Sequence, residues 1–387
     1  MTRIILRGGR VLSFGDTPLA GSDVAISAGR IDSLGHVAEQ AGDRVIDVAG
    51  AIITPALTDI HTHVYWGGTS LGVRPETVAH RSATGVFVDA GSAGAGNYEG
   101  LRAFIAEPSP FHIFAYLNIS YAGIFGFGKD VMVGECCDAR LLDTKSCLAA
   151  VRSHRDRIVG VKVRAGHMAA GENGALALDL ALDVAEELGV PIMCHVDLAP
   201  PTIDEVCDRL RPGDIITHCC RPAPNSATHD GHVREAAWKA RRRGVRFDVG
   251  HGRGGFSFKV CREMLDEGFA PDLISSDIHA LSVDGPAHDL LTTVNKLIAL
   301  GVAPDEALAA ASRNPAGAIG RPDLGRIRAG DEANIAVLRW KSEPWPLQDA
   351  AGEIITVDRR LVCEHLIVRG QAITAAGEAR PLHELAS

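Results

Sequence analysis

Residues Ala51-Ile52-Ile53-Thr54-Pro55-Ala56-Leu57-Thr58-Asp59-Ile60-His61-Thr62-His63 form a largely apolar run that ends in two histidines. Side chains on a strand alternate with period two, so His61 and His63 point to one face. Two imidazoles at the end of a hydrophobic strand make half of a metal site. The other half has to come from elsewhere in the chain.

On either side of this run the pattern differs. The first ~50 residues read as β structure. Ile4–Val11 is a strand, Asp23–Ile26 and Arg30–Asp32 form a hairpin about Ala28-Gly29, and Arg44–Asp47 follows. After Ile53, short apolar segments alternate with helical ones roughly every 25–35 residues, as βα units around a parallel sheet do. The predicted strands are 58–63, 85–89, 112–119, 158–164, 191–195, 214–218, 246–249 and 273–277, which makes eight. Leu176–Leu188 and Pro304–Ser312 are predicted helices. After Gly325 the β pattern returns at Asn334–Leu338 and Cys363–Val368.

The chain has 387 residues. A (β/α)8 TIM barrel takes roughly 250, which leaves room for a small β-sandwich. The expected division is a sandwich from residues 1–52 and 325–387, made by both termini, and a barrel from 53–324. The Gly-rich stretch 120–145, after the third barrel strand, is placed to line or cover a site at the barrel mouth.

A net charge of −9 argues against nucleic acid, which needs a basic face. No apolar run approaches the ~20 residues of a membrane span, and the segment Met1–Arg7 does not have a signal-peptide pattern. The nine cysteines include no CxxC pair. They read as reduced, mostly buried thiols of a cytoplasmic protein. A homo-oligomer stays open.

In a barrel, functional side chains sit at the C-terminal strand ends. Strand one ends in His61 and His63, strand five in His195, strand six in His218 and strand eight in Asp277. Strand four carries Lys162 and Arg164 on one face. Imidazole and carboxylate suit Zn²⁺ and related divalent ions. A lysine within an apolar strand should have a lowered pKa. Its neutral amine can take up CO2 as a carbamate, whose two oxygens can bridge two metals. A Lys162 ion pair with Asp277 or Glu172 is the alternative.

This order, with His-x-His on strand one, Lys on four, His on five, His on six and Asp on eight, resembles the amidohydrolase superfamily. The branch it is similar to has two metals and a carboxylated lysine. The resemblance implies two Zn²⁺ or similar ions and N6-carboxylysine at Lys162. It puts His61, His63, Lys162 and Asp277 on the buried metal, and Lys162, His195 and His218 on the exposed one. Ala56 departs from the Gly common in the family at that position. A finer resemblance, to a dihydroorotase-like deacetylase subgroup, rests on four stretches: Trp66-Gly67-Gly68-Thr69, Asp89–Gly94, Gly160–Ala165 and Asp248–Gly252.

The implied activity is hydrolytic removal of an acyl group, acetyl by the subgroup resemblance, from a small carboxylate-bearing ester or amide. An acetylated 2-hydroxy acid or an N-acyl amino acid would fit. Asp277 is the expected general base. Arg164 is a candidate clamp for the substrate carboxylate, or else the ion-pair partner of an acid on a neighbouring strand. Tyr65, Arg74, Asn118, His251 and His279 are further candidate substrate contacts. A dihydroorotase-like cyclic amidohydrolase is the alternative reading. True dihydroorotases, however, carry an arginine where this chain has Tyr65. Single-metal deaminases carry a glutamate where this chain has Leu198. A non-catalytic scaffold that kept only the fold is the third alternative, and it would bind no stoichiometric zinc.

Overall fold

The computed structural model describes residues 2–12, 14 and 19–385. Met1, at the head of the segment read for a targeting pattern, lies outside the described residues. So do 13, 15–18, 386 and 387 within the expected terminal spans.

The N-terminal segment lays down β1 (Ile4–Val11), β2 (Leu19–Ser27), β3 (Arg30–Gly35), β4 (Arg44–Asp47) and β5 (Ile52–Pro55). The Ala28-Gly29 turn joins β2 to β3, with both residues at positive φ. The barrel strands follow in chain order. They are β6 (Leu57–Thr62), β7 (Thr84–Gly94), β8 (His112–Asn118), β11 (Ile158–Arg164), β12 (Ile192–His195), β13 (Ile215–Thr217) and β16 (Arg246–Asp248). Two short hairpins interrupt them: β9 (Gly126–Phe127) with β10 (Met132–Val133), and β14 (Thr228–His229) with β15 (His232–Val233).

The seven barrel strands pair in parallel in the order β16-β13-β12-β11-β8-β7-β6. The expected eighth strand, 273–277, forms no ladder. Single parallel bridges from Leu273 to Asp248 and from Ile278 to Thr62 close the ring. The barrel interior is filled by Ile60, Val86, Val88, Phe114, Tyr116, Met193, Ile215 and Leu273. Helices cover the outside. Among them is Gly174–Leu188, which Gly189 stops in the left-handed conformation.

The C-terminal segment adds β17 (Ile335–Gln348), β18 (Ile354–Val368), β19 (Gln371–Ile373) and β20 (Ala379–Pro381). By hydrogen bonding the terminal β structure is one nine-stranded sheet, in the order β20-β19-β18-β17-β5-β1-β2-β3, with β4 also on β1. The sheet forks along β1, which pairs with β4 over Ile4–Arg7 and with β5 over Arg10–Val11. Its own core gathers Ile4, Leu6, Val24, Ile46, Ile53, Ile335, Val337 and Ile367. Strands β17 and β18 extend well past the predicted cores. Their added arms are largely exposed and carry Pro344 and Pro346, so no buried face marks them. Arg360 over Trp345 and Arg359 over Trp340 cover the arms instead.

Candidate metal centre

A bulge in β6 aims the first two histidines. Asp59 faces Phe87 and Thr62 faces Asp89, so three steps of β6 oppose two of β7. Ile60 therefore packs in the barrel interior, yet His61 and His63 also face inward. One ligand atom from each of His61, His63 and Asp277 lies within 4.8 Å of the others. Asp277 Oδ1 is 3.4 Å from His61 Nε2 and 3.1 Å from His63 Nε2. His195 Nδ1 and His218 Nε2 face each other at 2.7 Å. The His61 and His218 rings are 5.2 Å apart, which joins the two groups.

Lys162 lies beneath both, fully buried, with Nζ 3.1 Å from His61 Nε2. Gly91 makes room for it. A Cβ there would fall 2.6 Å from Lys162 Cγ, and the φ of +82° disfavours any side chain. All six sequence-predicted ligand residues thus meet at the C-terminal mouth of the barrel.

Each imidazole has a partner on its far side. His61 Nδ1 bonds Thr217 Oγ1 at 2.8 Å, and that hydroxyl donates to Asp248 Oδ2 at 2.6 Å. His63 Nδ1 bonds Ser92 Oγ at 2.9 Å. His195 Nε2 faces Asp197 Oδ2 at 3.3 Å, and His218 Nδ1 donates to Gly250 O at 2.5 Å. These contacts hold the ring protons on the outer nitrogens, so the inward nitrogens present lone pairs.

Burial drives all four rings toward the neutral form. His61, His195 and His218 fall well below the usual histidine value, and His63 falls to about 3. Converging lone pairs, with a carboxylate oxygen among them, repel one another unless a cation lies between. The donor set therefore fits divalent metal. Burial also lowers Lys162 to about 8, against the attraction of Asp277. Near neutral pH such an amine is unprotonated far more often than a free lysine.

The strain in this region sits on the same residues. His218 and Asp277 have φ of +65° and +46°, positions that non-glycine residues rarely take. Gly252, at φ +50°, gives Asp277 its space, since a Cβ there would fall 2.1 Å from Oδ2.

The groups open into a cavity of about 410 Å³. Leu71, Phe127, Met132, Met168 and Leu281 line its apolar part, and Arg164, Arg221, Arg253 and His279 bring polar atoms. Among the candidate substrate contacts, Arg164 and His279 reach this cavity. His279 Nδ1 accepts from Leu281 N at 3.1 Å, which leaves Nε2–H as a donor. Arg164 is bound through both fork nitrogens to buried Glu135, at 2.8 and 2.9 Å. Its partner is an acid, as in the alternative reading, but that acid comes from the loop after β10 and not from a neighbouring strand.

The other four contacts are corrected by their surroundings. His251 is fully buried, stacked on Phe256 and bonded by Lys296 Nζ at 2.7 Å. Asn118 is also buried, and its amide donates to Gly91 O. Tyr65 turns its hydroxyl to Asn97 O, 3.0 Å away. Arg74 lies over the Trp66 ring at 3.6 Å. None of the four lines the cavity.

Sequence reasoning missed Asp197, Thr217 and Asp248. Each lies within a few residues of a ligand or at a strand end, a signal that was available. Glu135, Arg221 and Arg253 sit on loops where sequence gives no register.

All nine cysteines are free and most are buried. Among the described residues no helix is long and apolar enough to cross a membrane.

The sequence profile of the amidohydrolase family matches residues 52–373. A deacetylase from Agrobacterium fabrum is 32% identical over 377 residues, covering 96% of this chain and 92% of the relative. A deacetylase from Brucella anthropi is 33% identical over 332 residues, covering 86% and 82%. A crystal structure described as a dihydroorotase superposes with a TM-score of 0.89 at 31% identity, covering 97% of this chain and 99% of that one. With the curled parallel sheet, the sheet built from both termini and the converging His-His-Asp group, these matches establish that the chain belongs to the amidohydrolase family.

Proposed function

We propose that the protein is a metal-dependent deacetylase that hydrolyses an acetyl ester or amide of a small carboxylic acid. The observation that carries this reading is the set of inward-facing lone pairs, each fixed from behind, around Asp277 in an open cavity. The relatives named deacetylases support the acyl group.

His61, His63, Lys162 and Asp277 would hold one divalent ion, and Lys162, His195 and His218 a second. Imidazole and carboxylate donors suit zinc and related divalent ions, and Lys162 would be carboxylated to serve as a ligand. Bound metal supplies Lewis acidity, which eases deprotonation of water and polarises a carbonyl.

The chain's own residues then do the following. The Asp277 carboxylate accepts the proton of the attacking water and returns it to the leaving oxygen or nitrogen. Its position beside His61 and His63, at the floor of the cavity, suits that role. His279 directs its Nε2–H into the cavity as a donor to substrate oxygen, and burial keeps that ring neutral, at about 4. Leu71, Phe127 and Leu281 give the cavity an apolar wall.

Tyr65 stands where a dihydroorotase would carry its arginine and is directed to Asn97, which disfavours the cyclic-amide alternative. The free thiols support a reducing, cytoplasmic setting.

The test is a panel of acetylated 2-hydroxy acids, N-acetyl D- and L-amino acids and dihydroorotate, followed by acid release. The expected result is fastest turnover of an acetylated acid. Faster turnover of dihydroorotate than of any acetylated acid would overturn the reading.

A further inference from the structure

The substrate carboxylate needs a cation, and Arg164 does not have a free one. Its fork is closed on Glu135, and both side chains are buried. Two other arginines reach the cavity. Arg221 lies on the turn after β13 and Arg253 on the turn after β16. Those strands are hydrogen-bonded neighbours, so both arginines lie on the same side of the mouth.

Arg221 donates one Nη to Val196 O, but its buried Nε has no hydrogen-bond partner. The nearby acid, Asp197, is otherwise engaged. Its Oδ1 accepts from Met168 N and Leu198 N, and its Oδ2 faces His195. Arg253 is exposed and makes no ion pair among the described residues. On this side of the cavity two cations face one acid, Asp197, whose oxygens are already hydrogen-bonded, and the excess positive charge attracts an anion. A guanidinium that lines the cavity and has no hydrogen-bonded carboxylate of its own gains most from an anion bound there.

We propose that Arg221 and Arg253 together bind the substrate carboxylate and set the preference for acids over neutral acetyl compounds, an inference that rests on the deacetylase reading. Arg164 is then a positioning residue. It fixes Glu135, and with it the 120–145 loop, whose Phe127 ring lies 4.7 Å from the Arg164 guanidinium carbon.

The probes are N-acetylleucine and 2-acetoxy-4-methylpentanoate, each compared with its primary amide. The readout is the ratio of kcat/KM for acid over amide. In wild type the acid is preferred by about 10-fold or more, as expected for one charge-assisted pair. Arg221→Met lowers that ratio by about 10- to 100-fold, and Arg221→Lys restores part of it. Exposed Arg253→Met lowers it by about 2- to 10-fold. It also keeps the test open if Arg221→Met fails to fold.

Calorimetric binding of 2-hydroxy-4-methylpentanoate against its amide separates the two readings. If nothing is deacetylated, the deacetylase reading fails, and the binding preference alone decides the carboxylate assignment. No preference for acid in wild type, or equal losses on acid and amide in both variants, overturns it.

Discussion

Thr217→Val removes one hydroxyl from the far side of the metal centre and barely changes volume. In the native site that hydroxyl accepts from His61 Nδ1 at 2.8 Å and donates to Asp248 Oδ2 at 2.6 Å. Without it, His61 Nδ1–H and Asp248 Oδ2 are 3.7 Å apart, too far for a good direct bond. Asp248 keeps only Ser275 Oγ, at 2.8 Å, because its Oδ1 already has no partner. Each buried group left unpaired costs about 1–3 kcal/mol. If most of that cost appears when His61 must present Nε2, metal affinity falls about 10- to 100-fold. The assay is competition between apo protein and a chromophoric chelator, with circular dichroism to establish that the variant folds. Thr217→Ser keeps the hydroxyl and should stay near wild type. Affinity for Thr217→Val within about 3-fold of wild type would refute the idea that this relay sets the His61 tautomer.

Three other outcomes follow from the same geometry. Lys162→Ala should lose activity and one equivalent of metal, and added acetate or propionate should restore part of the rate. Full activity without a carboxylic acid would remove the carbamate bridge. Asp277→Asn should lower kcat by about 10²- to 10⁴-fold, measured as acetate release, and a loss under about 10-fold would exclude it as the proton carrier. Burial pulls Lys296 down from 10.5 to about 7. Between those values the unfolded chain binds the extra proton, so this residue makes stability rise with pH; its support is full above about 10.5, is lost as pH falls, and is gone once pH is below about 7. The slope is at most about 1.4 kcal/mol per pH unit. Urea midpoints at pH 7 and pH 9 should show it in wild type and not in Lys296→Met, and an unchanged slope in the variant would contradict it.

The barrel was legible because each inner strand is a short apolar run bounded by turns, and β11 begins and ends where the pattern puts it, at Ile158 and Arg164. Strand β7 runs on to Gly94, past the expected Asp89. Its tail, Ala90-Gly91-Ser92-Ala93-Gly94, has no β-branched residue to mark it as strand, yet Gly91 is what lets Lys162 fit. The eighth segment was found by its composition, but its backbone makes only two bridges.

The strand-end histidines could be placed because strand ends fix their depth in the barrel. Residues on loops could not. His251 looked free in a Gly-rich turn, but Lys296 on the helix Leu290–Ala299, distant in sequence, reaches its Nε2. Arg164 shares a face with Lys162, as periodicity requires, but nothing local announces that Glu135 would close its fork.

Metal-dependent deacylation is tested most directly by titrating zinc into chelated protein while following acetate release from the best acetylated acid of the panel. The account predicts no release from the chelated protein, and a rate that rises with added zinc and saturates near two equivalents. Undiminished release from fully chelated protein would contradict it.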